Sequence, residues 1–485
     1  MHTSHKESED IPEITLSLNS RLSKSKYLKI IENIGNESSF CYHSLFGNLH
    51  LIDPKGIEIL NTFANPLTLS EAFSDHVDRD VYNSLIERFL QLHYLIPEGF
   101  DERALTQHEL SQRYNKLRTG KLINAIQLNV SEGCNLKCTY CFADRVDERS
   151  TLPVFEARNS QRMMSFETAV KSITAVTELA QRNGNNALVI KFFGREPLLN
   201  WKVIDQVIIY CESNESSFRY HYTITTNGTL LTTPIIRKLK EVETDIVVSL
   251  DGFLKGNTLR VTHEGGESFS SVDRALQLLR EEQVSYCVAS VLSDGNFDDV
   301  GGEFLHYLQE RGVKQWEVKL AMQNDGLTRR SADQYADKLF ALYKQGQEMG
   351  IAVTGDWYDP FATIFHTTKL LRDKHVHRLA PNSCSATDHQ ISIEPGGGIF
   401  GCRALDSRLG SVDDFQGLFQ SAKYSHLSMR TYYNVPFCHG CKLEGFCQGV
   451  CLGHSERKYN DIYRPDDSYC EVYRKVFDLL LMNYS

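Results

Sequence analysis

The sequence predicts an α/β chain: a partial (β/α)6 barrel with a small mixed unit in front of it and a cysteine-rich region behind it. Three observations carry that prediction. Short β-rich segments alternate with helical stretches over residues 124–345, a helix-and-hairpin pattern fills residues 25–100, and seven of the 13 cysteines crowd into residues 384–485. A chain of 485 residues is long enough for about three domains, each with its own core.

Composition narrows the class further. With 41% hydrophobic and 24% charged residues, neither disorder nor a fibrous repeat fits. The net charge of −10 disfavours a general nucleic-acid or anionic-membrane surface. No apolar run approaches the roughly 18 residues of a membrane span, so no membrane partner and a cytoplasmic location are expected. Thirteen cysteines, an odd number in a reducing compartment, point to metal binding or redox chemistry rather than disulfides.

The elements follow in order. Residues 1–24 lack apolar periodicity and read as a flexible leader. Phe40 to Ile52 reads as two strands around Phe46-Gly47-Asn48, and Pro54 opens a helix. Thr68 and Glu71 form a capping box, and Val81, Leu85, Phe89 and Leu92 make one apolar helix face. Residues 25–100 thus form a winged-helix-like unit; its 5 basic and 10 acidic residues favour peptide over DNA. A polar helix over 101–123 links it to the barrel of 124–345.

Barrel strands are expected at Ala125–Val130, Leu188–Phe193, Tyr222–Thr226, Asp245–Leu250, Tyr286–Leu292 and Trp316–Leu320, with helices between them such as Phe166–Arg182 and Val272–Glu282. In such a fold the chemistry sits just beyond the strands' C-terminal ends. A helical bridge over 346–383 leads to the cysteine-rich region 384–485. Within that bridge Asp356, Trp357 and Tyr358 are candidates for the barrel mouth or for a surface loop.

Directly after the first strand stand Cys134, Cys138 and Cys141, spaced C-x3-C-x2-C. Three thiolates on one loop suit a cubane iron–sulfur cluster that leaves one iron open; a zinc site is the alternative. Cys384, Cys402, Cys438, Cys441, Cys447, Cys451 and Cys470 follow later, the middle four as C-x2-C-x5-C-x3-C. Cys41, Cys211 and Cys287 fall within apolar patterns and read as small core residues.

The first loop, with Tyr140 before its last cysteine, resembles the radical S-adenosylmethionine (SAM) signature. Gly194-Arg195-Glu196-Pro197 is similar to that family's Gly-Gly-Glu-Pro loop, with Arg195 in place of the second glycine. Thr225-Thr226-Asn227-Gly228 and Ser249-Leu250-Asp251-Gly252 follow the next strands, and Arg260 resembles the family's nucleoside-reaching arginine. The resemblance implies a TIM-like radical SAM barrel in which Cys134, Cys138 and Cys141 hold the catalytic 4Fe-4S cluster. It also implies that Tyr140, Gly194, Arg195, Glu196, Asn227, Ser249 and Arg260 surround S-adenosylmethionine.

The later cysteines resemble the seven-cysteine SPASM pattern, which implies two auxiliary 4Fe-4S clusters. Cys438, Cys441, Cys447 and Cys470 would hold the outer one; Cys384, Cys402 and Cys451 would hold the inner, its fourth ligand a substrate group, water, Asp388 or His389. Arg403, beside Cys402, would tune that cluster, pair with a peptide carboxylate or form a structural ion pair.

The whole chain resembles the radical SAM/SPASM maturases of ribosomally made peptides, and among them those that form darobactin-type ether and carbon–carbon cross-links. That implies a precursor peptide whose leader docks on the front unit, a flavodoxin or ferredoxin-type reductant, and a role such as antibiotic biosynthesis. The alternatives are an anaerobic sulfatase maturase and a cluster-containing, DNA-binding redox sensor.

Overall fold

The computed structural model describes residues 20–32, 37–73, 79–141, 162–213, 218–322, 329–372, 384–447 and 449–484, without the side chains of 79–81, 108, 109 and 366–372. The expected face residue Val81 and most of the leader therefore lie outside what is described.

Strands β1 (Leu22–Lys24), β2 (Leu28–Glu32), β3 (Ser39–His43), β4 (Gly47–Ile52) and β5 (Leu95–Pro97) belong to the front unit. β2, β3 and β4 form an antiparallel sheet, and β1 pairs with β5. Residues 22–24, assigned to the leader for want of periodicity, are thus a strand; three residues are too few to show an alternation. Asp53 caps the helix Pro54–Thr62 by accepting from Gly56 N at 2.7 Å. The Thr68–Glu71 capping box closes as expected, over a helix of only one turn, Leu69–Ala72. The β3–β4 connection needs left-handed backbone at Gly47 (φ 89°) and Asn48 (φ 51°), residue types that tolerate it.

The helix Glu102–Leu117 is more than a linker. Glu102, buried, accepts from Ser25 Oγ at 2.5 Å and from His43 Nε2 at 2.7 Å, so it bolts the helix to the front sheet. His43 Nδ1 accepts from Leu45 N at 3.3 Å, which leaves the ring proton on Nε2, facing Glu102. Burial lowers the His43 pKa despite Glu102, so the ring is neutral. One residue on, Arg103 grips Glu444 and donates to Tyr433 O at 2.8 Å; further along, Arg113 meets Asp388 at 3.1 Å. The same helix therefore holds both the front unit and the cysteine-rich region.

The large sheet contains β6 (Ala125–Ser131), β8 (Ala187–Gly194), β9 (Arg219–Thr226), β10 (Asp245–Ser249), β12 (Tyr286–Leu292), β13 (Gln315–Leu320), β14 (Ala352–Thr354), β15 (Gln390–Ile393), β16 (Gly398–Phe400) and β17 (Gly410–Ser411), in the order β14-β13-β12-β10-β9-β8-β6-β15-β16-β17. All six expected strands are present. Two more join them in parallel, β14 beside β13 and β15 beside β6, so the sheet has eight parallel strands instead of six. β14 is short, and β15 reaches back from the cysteine-rich region across more than 260 residues of chain, a pairing no local pattern reveals. A separate two-stranded ribbon pairs β7 (Leu136–Cys138) with β11 (Arg260–Thr262).

Alternation sorts the sheet into two faces. Ile126, Leu128, Ile190, Phe192, Trp316, Val318, Ile391 and Ile393 join the main core with helices such as Phe166–Arg182 and Phe269–Glu281. Gln127, Asn129, Lys191, Glu317, Lys319, Gln390 and Ser392 alternate with them and line the barrel lumen. Trp357 does not line the mouth: it is 1% exposed and donates to Val318 O at 2.9 Å, a core anchor. Cys41 and Cys211 are buried as expected and Cys287 is half-buried.

Replacing Glu102 by Ala leaves the Ser25 hydroxyl and the His43 Nε2–H buried without their acceptor. The expected cost is about 2–3 kcal/mol, read as a lower urea midpoint at unchanged m-value.

Candidate active site

Four loops meet at the C-terminal ends of β6, β8, β9 and β10. The first is set by contact between backbones. Gly194 lies against Ser131, where a register shift ends the β6–β8 ladder, and a Cβ on Gly194 would stand 2.3 Å from Ser131 O. With φ at 134° as well, only glycine fits. Arg195 N then donates to Ser131 O at 3.0 Å and Glu196 N to Gly133 O at 3.1 Å, which lays the Gly194–Pro197 loop along the start of the cysteine loop. Arg195 has no left-handed backbone, so the position does not require the second glycine that the family pattern carries.

Glu196 is fully buried and accepts three bonds: from Leu198 N at 3.0 Å, Thr226 Oγ1 at 2.7 Å and Asn227 N at 2.7 Å. Its carboxylate ties the β8 loop to the β9 loop. Asn227 donates from Nδ2 to Asn135 Oδ1 at 2.8 Å and reaches Cys134 Sγ at 3.8 Å, while Asn135 donates to Thr229 Oγ1 at 2.8 Å.

On the other flank the β7–β11 ribbon sets Arg260 opposite Cys138. Arg260 Nη1 donates to Tyr140 Oη at 2.8 Å, and Tyr140 donates to the fully buried Asp251. Burial alone would depress the Arg260 pKa, but Tyr140, Asp251 and Cys138 outweigh it and keep the guanidinium charged. Tyr140 and Arg260 are thus brought together as expected, as one unit with Asp251. Ser249 ends β10 and is half-buried.

The three loop thiols are half-buried near one another. Burial raises the Cys134 and Cys138 pKa values, Cys138 to about 11, with the neighbouring thiols adding to the rise. As free groups Cys134 and Cys138 hold their protons at neutral pH; a bound positive charge would make them thiolates. Leu136 N, 3.4 Å from Cys134 Sγ, points a donor at that charge.

The seven later cysteines fall into two electrostatic sets. Cys384 and Cys451 each feel Cys402, and Cys384 feels Cys451. Cys438, Cys441, Cys447 and Cys470 feel one another. Burial pushes Cys384 and Cys447 up to about 12 and Cys438 to about 11. Among the described residues, no three His, Cys, Asp or Glu side chains are grouped to hold a single metal ion. A cubane makes a different demand: each thiolate binds its own iron, so the thiols need not converge on one point.

Arg403 sharpens the charge problem. It is 1% exposed, its Nε, Nη1 and Nη2 lack hydrogen-bond partners among the described residues, and its nearest carboxylate, Glu394, stands 3.6 Å away. A buried cation so poorly met costs several kcal/mol unless further negative charge lies nearby, which thiolate-bound clusters would supply. Asp388 and His389 are engaged elsewhere, with Arg113 and with each other at 2.5 Å, so neither stands free as an extra cluster ligand.

Beneath the loops the lumen is polar. Lys191 donates to Gln390 at 2.8 Å and feels Cys402 and Cys384. Lys319 meets Glu317 at 3.2 Å; its side chain is 46% accessible, and against a large desolvation that would lower it, Glu317 and Asp356 raise its pKa. Asp356 is exposed and its charge reaches Lys319, Cys451 and Asp359, at the junction of lumen and inner cysteines. Sequence reasoning missed Lys191, Glu317 and Lys319, although a lysine in the middle of an apolar parallel strand was a readable signal.

Comparison with known proteins follows this geometry. A model of the Radical SAM superfamily matches residues 128–308. The radical SAM cyclopropyl synthase TigE of Paramaledivibacter caminithermalis is 30% identical over 469 residues, 96% of this chain and 97% of its own. The chain belongs to the radical SAM superfamily. A cysteine-type anaerobic sulfatase-maturating enzyme of Clostridium perfringens is 24% identical over 72% of this chain and 93% of its own. Among solved structures, anSMEcpe with bound AdoMet superposes with a TM-score of 0.59 at 21% identity over 73% of this chain and 92% of its own. Streptococcus suis SuiB bound to S-adenosylmethionine does so at 0.51 and 16% over 93% and 99%. This radical SAM enzyme thus shares its fold with both, and its relatives include a cyclopropyl synthase and sulfatase-maturating enzymes.

Two outcomes are expected. Gly194→Ala loses at least tenfold in S-adenosylmethionine affinity by calorimetry, because the loop must retreat from Ser131, whereas Arg195→Gly leaves it little changed. Asp359 is raised from 3.8 to about 6, first by burial and then by Asp356 and Glu317, against Lys319. A raised acid costs stability as pH climbs from its unfolded to its folded value and keeps that cost above it, so Asp359→Asn stabilises the protein near pH 8 but not near pH 4. Equal effects at both would contradict this.

Proposed function

We propose that this chain is a radical SAM/SPASM maturase that oxidatively modifies a ribosomally made precursor peptide. The reading rests on one observation above the rest: a three-cysteine loop clamped over the end of a polar lumen, with a second cysteine set at that lumen's edge. When bound, a three-cysteine 4Fe-4S cluster and S-adenosylmethionine supply a 5′-deoxyadenosyl radical, which removes hydrogen from a peptide C–H bond.

The chain's own residues do the rest. Cys134, Cys138 and Cys141 hold the catalytic cluster. Gly194, Arg195 and Glu196 shape a backbone cradle for the nucleotide's amino-acid end, with Asn227 and Ser249 beside it. Tyr140, fixed by Asp251 and Arg260, walls the nucleoside side. Cys384, Cys402 and Cys451 hold an inner auxiliary cluster and Cys438, Cys441, Cys447 and Cys470 an outer one, three clusters in all. Lys191, Lys319, Glu317 and Asp356 orient the peptide, since selectivity against so reactive a radical comes from positioning.

The front unit is read as a winged-helix-like recognition element that takes the leader as an added strand, raising the effective concentration of the core peptide. A flavodoxin or ferredoxin-type reductant delivers electrons, in the cytoplasm. The product is a ring or cross-link made by net loss of two hydrogens. The similarity to a cyclopropyl synthase supports carbon–carbon closure; the darobactin-type pattern would add ether formation.

A sulfatase maturase is the second reading, favoured by the Clostridium perfringens relative. Against it stand Arg403 in the place where such enzymes commonly carry an acidic base, and the front unit.

Anaerobic reconstitution with iron, sulfide and dithionite is expected to load roughly twelve irons and to release 5′-deoxyadenosine. Co-expression with a precursor peptide should give a product lighter by two hydrogens per carbon–carbon bond, or heavier by one oxygen less two hydrogens per ether, in mass spectra. Cys134→Ala should abolish nucleoside release, while Asp356→Ala should spare it and reduce peptide turnover. A sulfatase Cys or Ser as the only residue oxidised would favour the second reading.

A further inference from the structure

Arg403 is not the only buried guanidinium beside the auxiliary cysteines. Arg430 is also 1% exposed, among the largest fully buried side chains of the protein. It follows the helix Ala422–Ser428, and its Nε donates to Ile462 O at 3.1 Å. Its head lies over Gly449, where an added Cβ would come within 2.7 Å of Nη2. Gly449 is the midpoint of Cys447–Cys451, the short stretch whose two ends belong to different cysteine sets. The Gly449 N–H itself points at Cys447 Sγ, 3.3 Å away. The cation therefore packs on the segment that joins the sets.

Gly449 stands two residues from Cys447 of one set and two from Cys451 of the other, so a cation seated on it lies beside both. In a medium of low effective dielectric a buried charge acts over longer distances than in water and is little screened by salt. Reduction adds one negative charge to an iron–sulfur cluster, and a fixed nearby cation favours that state.

We propose that Arg430 is the shared electrostatic tuner of the two auxiliary clusters, a buried cation that raises both reduction potentials and so makes them acceptors for the electron leaving the modified peptide. The inference rests on the auxiliary clusters of the proposed function. Arg430 acts through the clusters and contacts neither peptide nor nucleotide. It is a positioning charge rather than a catalytic residue.

The test is potentiometric titration of the reconstituted full-length protein, followed by electron paramagnetic resonance. In Arg430→Gln both auxiliary potentials are expected to fall by at least tenfold in the reduction equilibrium, about 59 mV for one electron. Arg430→Lys, which keeps the charge, is expected to stay near wild type, and the Cys134–Cys141 cluster to stay unchanged in both. Unchanged auxiliary potentials in an Arg430→Gln protein with full iron would overturn the proposal, as would an equal shift of all three clusters or of one auxiliary cluster alone. If Arg430→Gln does not retain iron, Arg430→Met is titrated in its place against the same expectation. Loss of iron from both, with retention in Arg430→Lys, would mean that the charge holds the clusters rather than sets their potentials, and would also overturn it. A wild-type protein that carries about four irons removes the auxiliary clusters themselves, and the proposed function fails with the inference.

Discussion

The structure depends on the placing of thiols where water cannot support their charge. Cysteines in ordinary surroundings ionise near pH 8.5; here burial pushes Cys138, Cys384, Cys438 and Cys447 up to about 11 or 12. Each set is therefore a poor collection of free thiolates and would suit a multiply charged iron centre, whose positive charge would pull the protons off. The two buried arginines fit the same balance. Arg403 and Arg430 are fixed cations in the interior, and thiolate-bound clusters bring the negative charge that offsets them.

From that constraint the rest of the architecture follows. The three-cysteine loop is braced on both flanks, by the Gly194–Ser131 backbone contact and by the β7–β11 ribbon. Glu196 then carries the brace to β9 with three hydrogen bonds. The second and third cysteine sets are fixed to the barrel by β15, which pairs with β6, the very strand that leads into the first loop. The helix from Glu102 joins front sheet and cysteine-rich region through adjacent side chains, Glu102 and Arg103. The front sheet and the cysteine-rich region are thereby tied to one helix.

Much of this was legible in the sequence because parallel strands buried on one face and half-buried on the other read as short runs of Val, Ile and Leu. Tyr286–Leu292 is found as expected, and Ala125, Asp245 and Leu320 are strand ends in both readings. Cysteine spacing exposed the thiol sets. What escaped depends on long-range contact: β14 and β15, the three-residue ribbon that places Arg260, and the Asp251 carboxylate that accepts from the Tyr140 hydroxyl. Trp357 misled because a tryptophan beside aspartate, tyrosine and proline has the composition of a loop, while the core behind Val318 claims the ring. The lumen's lysines and carboxylates sat unnoticed inside strands whose apolar neighbours dominated the pattern.

The central claim is that Cys134, Cys138 and Cys141 leave one iron of their cluster for S-adenosylmethionine. It is tested most directly in a variant lacking the seven later cysteines, reduced anoxically and followed by electron paramagnetic resonance with and without the nucleotide. The account predicts a single cluster whose signal changes shape when the nucleotide is added; a signal indifferent to it, or protein that binds zinc there instead of iron, would contradict the account.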